Sequence, residues 1–347
     1  DMKGKQGLVC MGLLLVLSSC SCHTGKQITA SGLQRKDFQT EVNGQHTDLF
    51  TLSNKQGMEV CITNYGARVV SILVPDRNGK REDVVCGFST ITEYMEQRQN
   101  FGSTVGRYIG RILNARFTLD GVEYKLVPNN GKSGHISHGG NPGFADRIWK
   151  VEQADTHRVC LSYLSPDGEN GFPGNLKVTL VYSLGEDDNA LDLTYEATTD
   201  APTVLNLSHH SFFNISGNFT KSVEDQQLWV DADRFTPYDD KKCVTGEYLP
   251  VAGTPLDFRM PHTIGECIDA DHPQLKVVNG YDHTWELNTK GDDTRPAAWV
   301  YDPTSGRKME IFTTEPGIQI YTGNKKKKKM TGKRGIAYPF RSAVCFE

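Results

Sequence analysis

The alternation of hydrophobic and polar residues predicts short β-strands along the chain from about residue 38 onward. Residues 58–63 alternate as in a half-buried strand, and residues 68–74 form the apolar run of a buried one. Asp, Asn and Gly cluster in the turn at residues 75–79. Many short strands separated by such turns favour an all-β sandwich or barrel. Further strand candidates are residues 117–119, 124–126, 148–151, 159–164, 177–183, 191–197, 227–230, 283–287, 298–301, 308–313 and 319–321.

Helical periodicity is confined to short segments, of which residues 91–98 are an example. No long segment repeats its apolar residues every 3.6 positions, which argues against a parallel α/β sheet. No internal repeat and no linker divides the sequence after residue 38. We therefore expect residues 38–347 to fold as one all-β domain, since such domains often exceed about 200 residues.

The first 37 residues are predicted to lie outside this domain. Lys3 and Lys5 precede an apolar run over residues 8–17 that is too short to span a bilayer, and small residues then lead to Cys20. This order is typical of a secretory signal, and the cysteine resembles the lipidated residue of a bacterial lipoprotein signal. We expect residues 1–20 to be that signal and residues 21–37 a polar tether. The protein would then be exported to the cell envelope, periplasmic or lipid-anchored. A signal with a chance cysteine, or a disordered tail, is the alternative.

Charge and cysteine content narrow the classes of function. The net charge of the 347 residues is −4, so no basic surface favours nucleic acid as a partner. Five lysines at residues 325–329 favour a solvated loop over a nucleic-acid or lipid-headgroup patch. The nine cysteines show no CxxC spacing, and those in apolar runs, such as Cys345, are expected to be small core residues. Disulfide pairing, and the choice between monomer and dimer, are left open.

Three polar clusters interrupt the strand pattern. The first, GHISHGG at residues 134–140, holds two histidines in a glycine-rich loop, where a ligand can approach closely. The second, NLSHHSFFN at residues 206–214, follows an apolar strand and ends in aromatic residues. The third, GYDH at residues 280–283, places a carboxylate beside an aromatic residue at the start of a strand. These clusters contain the candidate functional residues.

The histidines of these clusters have other interpretations. They could be surface residues of loops. HxxH and HH spacings are weak metal signals, and no nearby set of Asp, Glu or Cys completes a site, so no metal is predicted. A Ser-His-Asp hydrolase would need a GxSxG turn between a strand and a helix, which the sequence lacks. Nucleotide motifs of the GxGxxG or P-loop type are also missing from the sequence.

The residue types in the clusters favour a carbohydrate site. Histidine exchanges protons near neutral pH, and together with a carboxylate it supplies an acid and a base on opposite sides of a small substrate. Phe212, Phe213 and Tyr281 can offer an apolar face to a sugar ring, while Asn, Asp and Arg bind its hydroxyls.

The three clusters are part of a longer series that resembles the aldose 1-epimerase (galactose mutarotase) family. Any one segment is a weak match, whereas six or more in the family's order are specific. The similarity runs from about residue 38 to the last residue and implies a large antiparallel β-sandwich, the galactose mutarotase-like supersandwich. The matching segments are GRYIGRI at 106–112, HGG with GF and W within 138–149, NLSHHSFFN at 206–214, TPLDFR at 254–259, GYDH at 280–283, EPGIQ at 315–319 and VCFE at 344–347.

The resemblance also implies an activity. The family interconverts the α and β anomers of free hexoses such as glucose and galactose by opening and closing the sugar ring, without a cofactor. By position, His210 corresponds to the general acid that protonates the ring oxygen, and Glu347 to the general base that takes the proton of the C1 hydroxyl. His138 would help to polarise the ring oxygen and C1. The residues that would hold the other hydroxyls are Arg111, Asp282 and Gln319.

The sequence departs from the family pattern at a few positions. Gly110 and His209 each replace a usual Asn, and residues 136–137 replace a usual Asn-Leu. These changes bear on the preferred sugar more than on the reaction. The sequence stops at Glu347, directly after a strand-like run, where the family's chains continue, so we expect the natural chain to be longer.

Two other functions are weighed against this one. An envelope protein that binds sugar but has lost catalysis would share the pocket, yet His210 and Glu347 are both present. An epimerase of hexose 6-phosphates would need additional basic residues at the pocket rim, for which Arg107 and Arg111 are the candidates. The residues therefore favour the enzyme acting on free hexoses.

Overall fold

Antiparallel strands dominate the computed structural model, which describes residues 27–325 and 330–347. In this part of the chain the α-helices are α1 (Ile91–Gln97) and α2 (Pro273–Val278), and neither is long and apolar enough to cross a membrane. Helix α1 begins where Thr90 and Glu93 cap each other, and it ends at Arg98, which has a left-handed φ of 47°. The all-β prediction is confirmed.

The strands up to residue 199 form two four-stranded antiparallel sheets and several short ribbons. They are β1 (Glu41–Val42), β2 (Gln45–His46), β3 (Leu49–Ser53), β4 (Glu59–Thr63), β5 (Arg68–Pro75), β6 (Arg81–Asp83), β7 (Thr104–Val105), β8 (Arg111–Ile112), β9 (Arg116–Leu119), β10 (Val122–Lys125), β11 (Ile136–Ser137), β12 (Lys150–Ala154), β13 (Arg158–Ser165), β14 (Leu176–Leu184) and β15 (Leu191–Thr199). Strands β3 to β6 form one sheet and β12 to β15 the other, each in chain order.

The strands after residue 199 form a six-stranded sheet, another four-stranded sheet and two short ribbons. They are β16 (Ser208–His209), β17 (Phe212–Phe213), β18 (Gln227–Val230), β19 (Arg234–Thr236), β20 (Leu249–Pro250), β21 (His262–Thr263), β22 (Asp282–Glu286), β23 (Ala298–Tyr301), β24 (Lys308–Ile311), β25 (Gly317–Tyr321), β26 (Met330–Thr331), β27 (Ala337–Tyr338) and β28 (Val344–Phe346). The six strands lie in the order β17-β28-β25-β22-β19-β20, and the four in the order β21-β18-β23-β24. In the ribbons, β16 pairs with β7 and β26 with β27.

Two hydrophobic cores lie between pairs of these sheets. One core joins the six-stranded sheet to its four-stranded neighbour through residues such as Trp285 and Val300. The other joins the sheet of β3 to β6 with the sheet of β12 to β15, through residues such as Val60 and Leu180. Phe213 is half-buried and packs against both cores, so its ring contributes to the packing between them.

The folded part of the chain begins before residue 38. Glu59 of β4 is only 1% exposed, and its carboxylate accepts hydrogen bonds from the backbone N–H groups of Ala30 at 2.9 Å and Ser31 at 3.0 Å. Because a buried carboxylate needs such donors, this segment packs on the domain. The predicted tether of residues 21–37 is therefore wrong for its described part. The predicted signal and Cys20 lie outside the described residues.

Candidate active site

Strand pairing in the six-stranded sheet brings three of the candidate residues together. Glu347 directly follows β28, and its backbone exchanges two hydrogen bonds of 2.8 Å with Gln319 of β25. Gln319 lies opposite Thr284 of β22, and Asp282 is two positions from Thr284. Side chains two positions apart on a strand share a face, so Asp282 is on the same side of the sheet as Gln319.

His210 meets Glu347 across the next pair of strands. It lies between β16 and β17, and Phe212 of β17 pairs with Cys345 of β28. The ring nitrogen Nε2 of His210 is 3.2 Å from Oε1 of Glu347, and the two side chains are 6% and 4% exposed. In a cyclic sugar the ring oxygen and the C1 hydroxyl are bonded to one carbon, so an acid and a base this close can serve both. The two groups therefore lie side by side and not on opposite sides of the substrate, as the sequence suggested.

Burial shifts the protonation of this pair in opposite directions. Burial, and then the repulsion that a protonated His138 would exert, hold the pKa of His210 well below its usual range. Burial, and then the charge of Asp282, raise the pKa of Glu347 to about 8, against a smaller opposing effect of Arg111. At neutral pH the pair therefore shares one proton, which these shifts favour on the carboxyl group and which passes to Nε2 before His210 acts as the acid.

His138 approaches the same place from a different part of the chain. It follows β11, whose Ser137 pairs with Arg111 of β8, and its ring meets that of His210 edge-on at 5.4 Å and 84°. The backbone N–H of Gly110 donates to Nδ1 of His138 at 3.3 Å. Burial, and then the charge of Arg111, lower the pKa of His138 to about 4. The ring is therefore neutral with its proton on Nε2, which makes that nitrogen a hydrogen-bond donor.

The loop after His138 has a steric reason to be glycine. Gly139 has a left-handed φ of 78°, and a Cβ atom there would lie 1.9 Å from the carbonyl oxygen of Gly106. A side chain would push apart the segment of Gly106 and the segment of His138. The glycine-rich loop that the sequence suggests for ligand approach thus serves to pack the backbone beneath the histidine.

A hydrogen-bonded set lies beside the acid and the base. Nε2 of Gln319 donates to Oδ1 of Asp282 at 2.7 Å and to the hydroxyl of Tyr238 at 3.3 Å. The hydroxyl of Thr284 donates to Oε1 of Gln319 at 3.2 Å. Burial raises the pKa of Asp282, although the Gln319 hydrogen bond opposes this shift. Such a set of amide, hydroxyl and carboxylate groups can bind the hydroxyls of a sugar.

Arg111 also belongs to this site. Its Nη1 donates to the backbone carbonyl of Lys242 at 3.1 Å, and its charge lowers the pKa values of both Asp282 and Glu347. The structure thus brings together all six residues that the resemblance singles out. Tyr238 joins them without having been predicted, because its segment shows no motif and the contact depends on residues about 80 positions away.

A metal ion does not fit the donor chemistry here. Potential ligand atoms of His138, His210 and Glu347 lie within 4.8 Å of one another. However, Nδ1 of His138 accepts the Gly110 N–H, and Nε2 then carries the proton, so neither nitrogen offers a lone pair. The arrangement suits proton transfer and hydrogen bonding.

Several other candidates serve the fold. Arg107 is 1% exposed and donates to the carbonyls of residues 165, 166, 173 and 174 and to hydroxyls of Ser165 and Thr203, so it cannot bind a sugar phosphate. His209 is half-buried, with Nε2 at 2.6 Å from the Ser211 hydroxyl. Tyr281 is fully buried and donates to a backbone carbonyl, so it is not a surface for the sugar.

Aromatic and cysteine residues next to His210 complete its surroundings. The ring centroids of Phe212 and His210 are 5.0 Å apart, and the ring planes are inclined by 31°. Phe212, which the sequence predicts to face a sugar ring, therefore packs against the histidine. The thiol of Cys345 is 3.6 Å from Nδ1 of His210.

The six described cysteines from Cys61 to Cys345 are free of disulfides. Of the lysine run at residues 325–329, only Lys325 is described, and it is exposed.

The family model for aldose 1-epimerase matches residues 48–344. The chain belongs to the aldose 1-epimerase family. It is 39% identical over 298 residues to the galactose mutarotase of Sus scrofa, covering 86% of this chain and 84% of that protein.

Solved structures place the fold in the same family. An aldose epimerase homologue from C. elegans superposes with a TM-score of 0.79 at 30% identity, covering 86% of this chain and 88% of that one. The galactose 1-epimerase of Lactobacillus acidophilus gives a TM-score of 0.73 at 31% identity, with 82% of each chain covered. The predicted galactose mutarotase-like sandwich is thereby confirmed.

Proposed function

We propose that this protein interconverts the α and β anomers of a free hexose such as glucose or galactose. The observation that carries the proposal is the buried contact of 3.2 Å between His210 and Glu347, which places an acid and a base at one carbon of a sugar. Membership of the aldose 1-epimerase family supports the same reaction.

The proposed reaction moves one proton on and one proton off the sugar. Glu347 takes the proton of the C1 hydroxyl while His210 gives a proton to the ring oxygen, so the bond between C1 and the ring oxygen breaks and the open aldehyde forms. Rotation about the C1–C2 bond presents the other face of the carbonyl. The two groups then reverse roles and the ring closes as the other anomer. Protons balance, so the scheme needs no cofactor.

The remaining residues hold the sugar. The Nε2–H of His138 donates to an oxygen on C1, where it stabilises the charge that develops as the ring opens. Arg111, Asp282 and Gln319 bind the other hydroxyls. Each of the acid and the base contributes about 10²–10⁴-fold to the rate, and positioning adds more.

The activity is tested by polarimetry on freshly dissolved α-glucose and α-galactose. We expect the optical rotation to reach its equilibrium value faster than in buffer alone, in proportion to the enzyme concentration. Sugar binding without acceleration would instead support the non-catalytic sugar-binding protein.

Because one chain supplies all six site residues, we expect the activity per chain to be the same for a monomer and a dimer. Sedimentation at the assay concentrations shows which of the two is present.

The Asp282→Asn variant is expected to raise KM by roughly 10- to 100-fold, because a hydrogen bond to a charged group is worth about 1.5–3 kcal/mol. The amide keeps the shape but loses the charge, and its NH2 group replaces one of the two oxygens that can accept from Gln319 and from a sugar hydroxyl. Initial rates over a range of sugar concentrations separate KM from kcat. Asp192→Asn, at an exposed position of β15, is the matched control. An unchanged KM would contradict the binding role.

The pH dependence of kcat/KM is expected to follow the proton shared by His210 and Glu347. The productive pair needs one proton, and the pKa of Glu347, raised to about 8, marks where that proton is lost. We therefore expect kcat/KM to be level near neutral pH and to fall above about pH 8. At low pH, kcat/KM is expected to fall only well below the usual titration range of histidine, because the pKa of His210 is strongly lowered. Rates are measured after subtracting the buffer reaction, and a steady rise beyond pH 8 would contradict the shared proton.

We also propose that the protein is an exported lipoprotein. The support is the sequence of residues 1–20, in which a basic start and a short apolar run lead to Cys20. Labelling of the full chain with a radioactive fatty acid in a bacterial host tests this. Label in the wild type but not in Cys20→Ser is expected, and a soluble, unlabelled wild type would contradict the anchor.

A further inference from the structure

Cys345 lies on the opposite side of the His210 ring from the catalytic carboxylate. Its Sγ is 3.6 Å from Nδ1 of His210, whereas Nε2 of the same ring faces Glu347 at 3.2 Å. Cys345 is fully buried and His210 is 5% exposed. Each ring nitrogen therefore contacts one side chain, and both side chains belong to residues 345–347, in β28 and directly after it.

The strand geometry explains how one segment reaches both nitrogens. Cys345 and Glu347 are two positions apart, so their side chains leave the strand on the same face. Phe212, two residues after His210, pairs with Cys345 in the antiparallel ladder between β17 and β28. This register fixes the histidine over the face from which the thiol and the carboxylate project.

The proposed reaction requires a particular tautomer of His210. When Nε2 gives its proton to the ring oxygen, the proton that stays on the imidazole is on Nδ1. If the remaining proton were on Nε2 instead, that nitrogen could not take a proton back when the ring closes. A hydrogen-bond acceptor at Nδ1 therefore leaves Nε2 able to give a proton when the sugar ring opens and to take it back when the ring closes. The partner of the second nitrogen has the same effect in other acid-base histidines.

Building on the proposed function, we propose that Cys345 is a positioning residue whose sulfur accepts a hydrogen bond from Nδ1–H of His210, so that Nε2 is the nitrogen that exchanges protons with the sugar. Burial, and then the charge of Glu347, raise the pKa of the Cys345 thiol well above its usual value, so the group is a neutral thiol. Sulfur is a weak acceptor, and a neutral one stabilises the imidazolium much less than a carboxylate would. His210 is thus held in place and still gives up its proton easily.

The other groups around His210 shift its pKa in both directions. Burial, and then repulsion from His138, His209 and Lys325, lower the pKa of His210, whereas a hydrogen bond with its own backbone raises it. Glu347 is the carboxylate in contact with its ring. Cys345 differs from them because it sets which nitrogen carries the proton. That distinction separates this role from simple core packing, in which the sulfur would only fill space.

The tautomer can be measured without relying on activity. In the wild-type protein with ¹⁵N-labelled histidine, the His210 signals are expected to show a protonated Nδ1 and a Nε2 without a fixed proton at neutral pH. Assignment uses His210→Ala. A neutral ring protonated only on Nε2 would overturn the proposal, whether or not the protein proves to be an epimerase.

Two substitutions then test the effect on the rate. Cys345→Ala removes the acceptor and is expected to lower kcat roughly 3- to 10-fold at unchanged KM, since one neutral hydrogen bond is worth about 0.5–1.5 kcal/mol. Cys345→Ser keeps an acceptor and is expected to restore most of kcat and the Nδ1–H tautomer. A wild-type kcat and pH profile in Cys345→Ala would overturn the role.

Cys61→Ala is the matched control. Cys61 is also fully buried in a strand, but its sulfur lies near Ser31 and Thr51 and not near the active site. We expect this variant to lose stability without losing kcat. An equal loss of kcat in Cys61→Ala and Cys345→Ala would mean that both act through packing, and it would overturn the proposal.

Discussion

The His210→Ala variant is expected to lower kcat by about 10²–10⁴-fold with the fold intact, because the proton donor to the ring oxygen is lost. His138 cannot replace it. The Gly110 N–H occupies Nδ1 of His138, whereas Nε2 of His210 lies 3.2 Å from the carboxyl group of Glu347, with which it exchanges the proton. KM should change little, since Arg111 and Asp282 still hold the hydroxyls. Polarimetry, or an oxidase specific for β-glucose, measures the rate.

A surface histidine provides the comparison for this variant. His46→Ala removes an imidazole that is 79% exposed, and we expect it to keep the wild-type kcat. Circular dichroism and the melting temperature confirm that each variant is folded, because removing a buried side chain also leaves a cavity. Near-normal turnover of folded His210→Ala would refute its role as the acid.

The sequence predicted well those strands whose apolar runs are long. Residues 68–74 correspond to β5 (Arg68–Pro75), and residues 177–183 to β14 (Leu176–Leu184). The short strands β11 and β16, which position His138 and His210, are only two residues long and have no periodicity to detect. They exist because distant segments provide their hydrogen-bond partners, which a pattern along one segment does not show.

The candidate site was predictable where contiguous segments resemble the family. His138, His210 and Glu347 were identified in this way, and the structure brings them together. The structural role of Arg107, which binds backbone carbonyl groups, could not be predicted, because those groups lie about 60 positions later in the chain. Cys345 was expected to be a core residue, and it is buried, but only the folded structure shows its contact with His210.

The Glu347→Gln variant is expected to lose about 10²–10⁴-fold in kcat, because the amide has the shape of the carboxyl group but cannot take the proton of the C1 hydroxyl. The fall of kcat/KM above pH 8 should also disappear from any residual activity, since the group that titrates there is gone. Glu123→Gln, at an exposed position of β10, is the control and should keep both kcat and the pH profile.

The same variant should be more stable than the wild type at alkaline pH. The pKa of Glu347 is about 8 in the folded protein against an ordinary value of 4.5, so the folded state holds a proton that the unfolded chain releases. The wild type therefore has the full contribution of this group below about pH 4.5 and loses it as the pH rises through 8. Glutamine does not titrate, so the melting temperature of Glu347→Gln minus that of the wild type should grow between about pH 5 and pH 8 and level off above that. A difference that is constant with pH would contradict the buried, proton-holding carboxyl group on which the acid-base pair depends.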